Sequence, residues 1–160
     1  MSSRLQRFML RTINIWPPFL AAGIRVRWGA DRRSADVEMG LHFWNRNYVG
    51  THYGGSLYSM TDPFYMLMLM ENLGRDYIVW DKAANIRFRK PGKGTVRAEF
   101  RLSEAQLEEI RAALTNQEKY EPAFLVEVKD AEGNVVAEVQ KIIHIRRKST
   151  VSPPKLVEAQ

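Results

Sequence analysis

The residues whose types and spacing could do chemistry lie between Asn47 and Asp62. Two adjacent glycines, Gly54 and Gly55, stand at the start of a long apolar segment, where they would let a ligand approach the backbone closely. If that segment is a helix, its first amides are free and lie at the positive end of the helix dipole, which favours a negatively charged oxygen. This pattern predicts an oxyanion hole.

A carboxylate follows at a suitable spacing. Asp62 comes eight residues after Gly54, about two helical turns on and on much the same side. It could serve as a nucleophile or a general base toward a carbonyl group held at Gly54. Structural interpretations stay open: Asp62 before Pro63 is also typical of a helix N-cap, the glycines of a turn with positive φ, and Asn47 of a turn residue.

The rest of the sequence predicts the elements that position these residues. Apolar and polar residues alternate in 34–44, 76–89, 95–102, 122–129 and 134–147, which is typical of half-buried strands, and 20–28 supplies part of another. In 76–89 the pattern assigns to one apolar face the residues Ile78, Trp80, Ala84, Ile86 and Phe88, and to the polar face Asp81, Asn85, Arg87 and Arg89. Turns at 90–94 and 130–134 predict antiparallel neighbours on either side.

Two internal helices interrupt the strands. The first, 103–115, has a capping box at Ser103 and Gln106 and one apolar stripe, which is typical of a surface helix. The second, 55–73, is apolar on every side and must be buried on every side. Its methionines are expected in the core, or partly in the wall of an acyl pocket: Met60, Met66, Met68 and Met70. We therefore predict an α+β fold in which a curled antiparallel sheet wraps a long central helix, and a dimer covers what the sheet leaves exposed.

Composition narrows the classes of function. The length of 160 residues fits a single domain. The net charge of +6 favours an anionic partner. The absence of cysteine excludes thiol nucleophiles and thiolate metal sites. The three histidines lack metal-ligand spacing, and Ser56 is not in a nucleophile elbow, so we expect neither a metal nor a serine triad. The sequence shows no pattern typical of an aromatic stacking platform, so we do not expect binding to nucleic acid.

The ends of the chain carry weaker signals. Residues 2–15 predict a basic amphipathic helix that packs on its own domain, with contact to an anionic membrane surface as the alternative. Because neither a signal peptide nor a membrane span is evident, we expect a cytoplasmic protein. We expect residues 1–19 to form a helix and linker, 20–148 the folded domain, and 149–160 a disordered tail.

The motif Asn-x-x-Gly-Thr-x-x-Gly-Gly at 47–55, with Asp62 behind it, resembles the hotdog-fold thioesterases of the phenylacetyl-CoA thioesterase type. The stretch Phe-Arg-Lys-Pro-Gly-Lys-Gly at 88–94 is similar to the segment after that family's third strand. The runs at 61–65 and 77–82 resemble a poorly characterised branch of the same superfamily. The resemblance covers roughly residues 20–147 and implies a hotdog domain at 20–148.

This resemblance implies hydrolysis of an acyl thioester, most simply an acyl-CoA, with coenzyme A entering as part of the substrate and no separate cofactor. The Gly54 amide would bind the thioester oxygen, Asn47 would donate a second hydrogen bond, and Asp62 would attack the carbonyl or activate water. The site would be shared across a homodimer, or within a dimer of dimers. The implied substrate-binding residues are His52, Tyr53, Gly55, Arg87, Arg89, Lys90 and Lys93, although the four basic ones also fit a solvated strand end and loop.

Two departures from the family pattern keep an alternative open. Tyr53 replaces the usual histidine before the glycines, with His52 one place early, and Pro63 would kink a continuous helix. The alternative is a hotdog domain that binds a fatty acyl or other hydrophobic ligand without cleaving it. A dehydratase is less favoured because its histidine would lie on the central helix, and His52 lies before it.

Overall fold

The computed structural model describes residues 12–148. The tail 149–160 and most of the expected helix 2–15 lie outside the described residues, which open with a short 3₁₀ turn at Ile13–Ile15. Four helices follow: α1 (Pro17–Ala22), α2 (Gly54–Ser59), α3 (Phe64–Leu73) and α4 (Glu104–Asn116). The strands are β1 (Ile24–Trp28), β2 (Ser34–Met39), β3 (Tyr77–Phe88), β4 (Val96–Arg101), β5 (Lys119–Tyr120), β6 (Ala123–Lys129) and β7 (Val135–Arg147).

The seven strands form one antiparallel sheet in the order β1-β2-β4-β6-β7-β3. The short β5 also pairs with β7, in line with β6. Glu121 and Pro122 separate β5 from β6. A proline cannot donate a ladder hydrogen bond, which explains the interruption; its carbonyl still accepts from the Ile143 amide. The described edges of the sheet are β1 and β3.

The core lies between the sheet and the central helix. Phe64, Met68 and Leu69 of α3 are fully buried, and the Phe64 ring lies 4.7 Å from the Phe100 ring and 5.6 Å from the Trp28 ring, centroid to centroid. The surface helix α4 has the predicted capping box and buries its predicted stripe, Leu107, Ile110 and Leu114. The predicted α+β fold, with a curled antiparallel sheet around a central helix, is confirmed.

The central helix is divided rather than continuous. Helix α2 ends at Ser59, Met60 to Pro63 make a turn, and α3 begins at Phe64. Pro63 occupies the N-cap position of α3, and no side chain caps that end. The prediction that Asp62 could be the cap is therefore wrong, and the carboxylate is available for other partners.

The segment 90–94 does not join neighbouring strands, contrary to the prediction. Strand β3 lies at the edge next to β7, while β4 lies between β2 and β6. The seven residues 89–95 instead cross the ends of β7 and β6, where the Val136 carbonyl accepts from the Arg89 amide. Three strand spacings are about 14 Å, well within the reach of such a segment. The turn at 130–134 does join its neighbours, β6 and β7, as predicted.

The predicted face assignment in 76–89 is wrong for its first half. A bulge between Asp81 and Ala83 shifts the register of β3 against β7, and one extra residue moves every later side chain to the opposite face. Trp80 consequently stacks on His144. Asp81, which the pattern places on the polar face, instead pairs with the buried Lys141.

Strand β2 stops at Met39, although the alternation predicts a strand to residue 44. The buried Asn45 side chain explains this end. Its amide donates to the carbonyl oxygens of Gly40 and Ala22, and its Oδ1 accepts from the His42 amide. These bonds turn the chain away from the sheet and leave Phe43 79% exposed.

The placement of the core predicts that alanine substitution of two phenylalanines affects the free energy of unfolding very differently. Phe64→Ala should lower the free energy of unfolding by about 3–5 kcal/mol, because it removes a buried ring and leaves a cavity. Phe43→Ala is the matched control and should change it by less than about 0.5 kcal/mol. Urea denaturation measures both, and equal losses would contradict the placement of the core.

Candidate functional site

A tight loop precedes the glycine pair, and Asn47 holds it together. The Asn47 Oδ1 accepts from the amides of Val49 and Thr51, at 3.1 and 3.0 Å. Its Nδ2 donates to Thr51 Oγ1 at 2.9 Å and to the His52 carbonyl at 3.2 Å. Both hydrogens of the side-chain amide are thus engaged within the loop. In this structure Asn47 orders the approach to Gly54 and has no hydrogen left for a substrate oxygen.

The glycine pair opens α2 without an unusual backbone. Neither Gly54 nor Gly55 has a positive φ, so the interpretation as a left-handed turn is wrong. Close packing explains the residue type instead: a Cβ atom at Gly54 would lie 3.0 Å from the Phe88 ring, and one at Gly55 would lie 2.4 Å from the Tyr53 ring. Within residues 12–148, no acceptor receives either glycine amide. These amides are free to bind an oxygen.

An open cavity of about 430 Å³ adjoins Gly55. Gly55, Ser56 and Ser59 of α2 form one wall, and Tyr53 and Trp44 flank it. Tyr53 is 60% exposed and Trp44 is 57% exposed, so both rings can contact a ligand. The volume falls within the range of small-molecule sites. Tyr53 and Gly55 thus lie together, as the predicted site requires.

Asp62 belongs to a cluster of four side chains from different elements of the fold. Its Oδ1 lies 2.7 Å from the Nζ of Lys141 on β7, and the same Nζ lies 3.0 Å from the Oδ1 of Asp81 on β3. The Tyr58 hydroxyl lies 3.4 Å from that nitrogen. We call these four residues the Lys141 cluster. Lys141 is fully buried, whereas the Asp62 side chain is 45% exposed.

The electrostatics of the cluster follow from this uneven burial. Burial alone would lower the pKa of Lys141, but its bonds to Asp62 and Asp81 outweigh burial and raise it. Burial raises the pKa of Asp81, and Lys141 opposes that effect. Burial, and then the neighbouring Asp62 carboxylate, raise the pKa of the Tyr58 hydroxyl. The ammonium therefore stays charged between its two acidic partners.

His52 lies in the interior rather than in the cavity. It is 3% exposed, its amide donates to the Gly92 carbonyl, and its Nε2 lies 2.8 Å from the Gly94 carbonyl. A carbonyl can only accept, so Nε2 carries the proton. His52 was predicted to contact substrate; in the structure its ring fastens the segment 90–94 to the loop before Gly54.

The four predicted basic residues divide into two pairs. Arg89 forms an ion pair with Glu138 at 2.6 Å, and Lys90 forms one with Asp130 at 2.8 Å. Arg87 and Lys93 are exposed, and within the described part of the chain no carboxylate lies within 4.0 Å of either. Of the four predicted basic residues, Arg87 and Lys93 are therefore the two without an ion pair among residues 12–148.

The described residues contain neither a metal-binding cluster nor a membrane-spanning helix. Between Thr12 and Lys148, no cluster of three or more potential ligand side chains could hold a metal ion. No helix in that range has the length and apolar character needed to cross a bilayer.

Solved structures share this architecture. A protein of unknown function from Pseudomonas aeruginosa, titled a probable thioesterase, is 22% identical with a TM-score of 0.75, over 92% of this chain and 97% of that one. The E. coli PaaI protein of the phenylacetic acid degradation operon is 17% identical with a TM-score of 0.60, over 92% and 96%. A Haemophilus influenzae thioesterase is 12% identical with a TM-score of 0.59, over 89% and 88%. The chain therefore has the hotdog fold.

The sequence places the chain in a family within that fold. Residues 4–145 match the model of DUF4442, a domain of unknown function, and the chain belongs to this family. No curated protein matches the sequence.

Two residues of the site escaped sequence reasoning. Asp81 was hidden because the bulge in β3 reverses its face. Lys141 carried a usable signal: it falls between Val139 and Ile143 on the apolar side of the alternation in β7, where a lysine needs a buried acidic partner.

The burial of His52 predicts a pH dependence of stability. Burial lowers the pKa of His52 in the folded protein, whereas its pKa in the unfolded chain is about 6.5. The unfolded chain therefore binds the proton first, and the His52 contribution to stability is full above pH 6.5 and declines as pH falls toward the folded-state pKa. Ring NMR should give a His52 pKa below 6.5, and a value at or above it would contradict the buried neutral state.

Proposed function

We propose that this protein hydrolyses acyl thioesters, with acyl-CoA as the substrate class. The observation that carries the proposal is the placement of Asp62. Its carboxylate stands at the break in an otherwise apolar helix, is held on one side by the buried Lys141, and keeps 45% of the side chain exposed. The hotdog fold of this chain, which it shares with the Haemophilus influenzae thioesterase, also supports thioester hydrolysis.

In the proposed reaction Asp62 acts as a general base. It accepts a proton from water as the water oxygen attacks the thioester carbonyl, and the carbon–sulfur bond then breaks. The proton returns to the departing thiolate, so the products are a carboxylic acid and the free thiol. The Gly54 amide, with Gly55 beside it, would stabilise the negative oxygen. Direct attack by the Asp62 carboxylate is the variant in which water enters in a second step.

Such a site needs a second copy of the chain. Helix α2, of six residues, and part of the turn after it separate Gly54 from Asp62. A six-residue helix alone is about 9 Å long, too far for one bound carbonyl to meet both within a chain. The edge strand β3 is free in the described residues, and Ala83, Ala84 and Asn85 at its middle are exposed. We propose that two copies pair along β3, as a homodimer or a dimer of dimers in the cytoplasm, and that Gly54 of one faces Asp62 of the other.

Arg87 and Lys93 suggest where the coenzyme A part of the substrate binds. Arg87 and Lys93 flank the exposed end of β3, next to Phe88, whose ring packs on Gly54. Phosphate groups of coenzyme A would find complementary charge there. The acyl group would occupy the cavity between Tyr53 and Trp44.

A second candidate function is binding of a fatty acyl or other hydrophobic ligand without cleavage. One observation favours it: both Asn47 hydrogens are committed to the loop, so the second donor implied by the resemblance is lacking. Thermal stabilisation by acyl-CoA without release of thiol would support binding and count against hydrolysis.

The proposal predicts that Asp62→Asn abolishes turnover. Removing the base should lower kcat/KM by about 100-fold or more, while circular dichroism and Tm show a folded protein. Release of thiol from a panel of acyl-CoAs measures the effect. Asp76→Asn, at an exposed position before β3, is the matched control and should keep full activity. Equal turnover by Asp62→Asn and the unsubstituted protein would overturn the role.

Pairing along β3 predicts a change in association. Ala83→Arg would place like charges near each other across the two-fold axis, and each substitution acts in both copies. The dissociation constant should rise about 5- to 30-fold in sedimentation equilibrium. Ala131→Arg, in the exposed turn between β6 and β7, is the control and should leave it unchanged. A monomeric unsubstituted protein would contradict the shared site.

A further inference from the structure

Lys141 carries a charged side chain that is buried among apolar residues. Its side chain is 0% exposed, and it lies on the core side of β7 between Val139 and Ile143, which are also buried. A lysine rarely stays in such a position unless an acidic group pairs with it. An apolar side chain of similar length would fill the same space without loss of hydration. The position calls for an explanation other than packing.

The partners of Lys141 come from three separate elements. Asp62 comes from the turn between α2 and α3, Asp81 from β3, and Tyr58 from α2, with its ring centroid 5.2 Å from the Lys141 Nζ. One positive and two negative charges leave the cluster with one excess negative charge. Asp81 is 22% exposed and Asp62 is 45% exposed, so the excess charge is best solvated on Asp62.

This arrangement fixes Asp62 without enclosing it. The Lys141 ammonium binds one carboxylate oxygen at 2.7 Å, and the Asp62 side chain keeps 45% of its surface exposed. Asp81 approaches the ammonium from the neighbouring strand at 3.0 Å. Since Ala84 lies opposite Lys141 in the register, the bulge before it is what turns Asp81 inward.

We propose that Lys141 and Asp81 are positioning residues for Asp62: the Lys141 ammonium orients its carboxylate, and Asp81 anchors the ammonium. The inference rests on the proposed function, in which Asp62 is the base. It adds two residues that never touch the substrate, and it assigns the bulge in β3 a part in building the site. The charged or titratable groups that face Asp62 are Tyr58 of α2, Asp81 of β3 and Lys141 of β7.

The pH dependence of kcat/KM tests this inference. Lys141→Met removes the neighbouring positive charge, so the acid limb of the profile should move to higher pH by about one unit or more. Asp81→Asn removes a like charge and leaves Lys141 to Asp62 alone, so the limb should move to lower pH. Lys129→Met, whose lysine pairs with Glu127 on β6, is the matched control and should leave the profile in place.

Opposite shifts would support the inference, because a purely structural cluster offers no reason for opposite signs. A loss of kcat in both variants with an unmoved acid limb would overturn it. If Lys141→Met does not fold, the downward shift in Asp81→Asn decides alone, and its absence counts against the inference.

A second readout separates this inference from the proposed function. If the unsubstituted protein releases no thiol from any acyl-CoA, the hydrolase proposal fails, and the cluster can still be examined by NMR of the Lys141 ammonium. The pKa of Lys141 should fall in both Asp62→Asn and Asp81→Asn. An unchanged value in either variant would overturn the shared bridge.

Discussion

The segment from Gly54 to Leu73 is apolar around nearly its whole circumference, and its burial dictates the shape of the molecule. A flat sheet could cover only one side of such a helix. The sheet therefore curls, with Phe100 of β4 packed on Phe64 and the inner residues of β6 and β7 fully buried. Curling without closure leaves two edges, β1 and β3. The edge at β3 adjoins both the glycine loop and the Lys141 cluster, so the unfinished part of the sheet and the chemistry occur together.

The polar exception inside that helix gives the fold its chemistry. At Met60 to Pro63 the helix breaks, and the break brings a carboxylate into an environment of apolar side chains. The buried Lys141 of the sheet would be costly there without an acidic partner, and Asp62, which is partly exposed at the break, supplies the compensating charge. The helix break and the sheet are thereby joined by an ion pair. The same bond leaves the other side of Asp62 accessible, which a cap on α3 would not have done.

Residue patterns predicted most of the architecture because it depends on local rules. The alternation in 95–102 and 122–129, the capping box at Ser103 and Gln106, and the turn at 130–134 all specify structure from neighbouring residues. The errors came where non-local contacts decide. The bulge in β3 has no signal in its sequence, so Trp80 and Asp81 were assigned to the wrong faces. The crossing segment 90–94 looks like a hairpin because only the sheet order shows which strands adjoin it.

The candidate site was predictable in type but not in its partners. Gly54, Gly55 and Asp62 could be chosen because their spacing is carried by one helix. Asn47 could not be judged, since its four hydrogen bonds close a loop whose conformation the pattern does not encode. The pairing of Asp62 with Lys141 joins residues 79 positions apart, and such a contact is set by the fold as a whole. His52 likewise turns inward because the segment 90–94 passes over it.

The buried lysine also affects how the strands can align during folding. The inner side of β7 presents Ala137, Val139, Ile143 and Ile145, which are similar enough that a shift of two residues along β3 would bury nearly the same apolar surface. A shift in the direction away from Asp81 would move the ammonium about 7 Å farther from that carboxylate and leave it among apolar side chains. Misalignment in that direction is therefore disfavoured by electrostatics even where the buried apolar surface would be nearly the same.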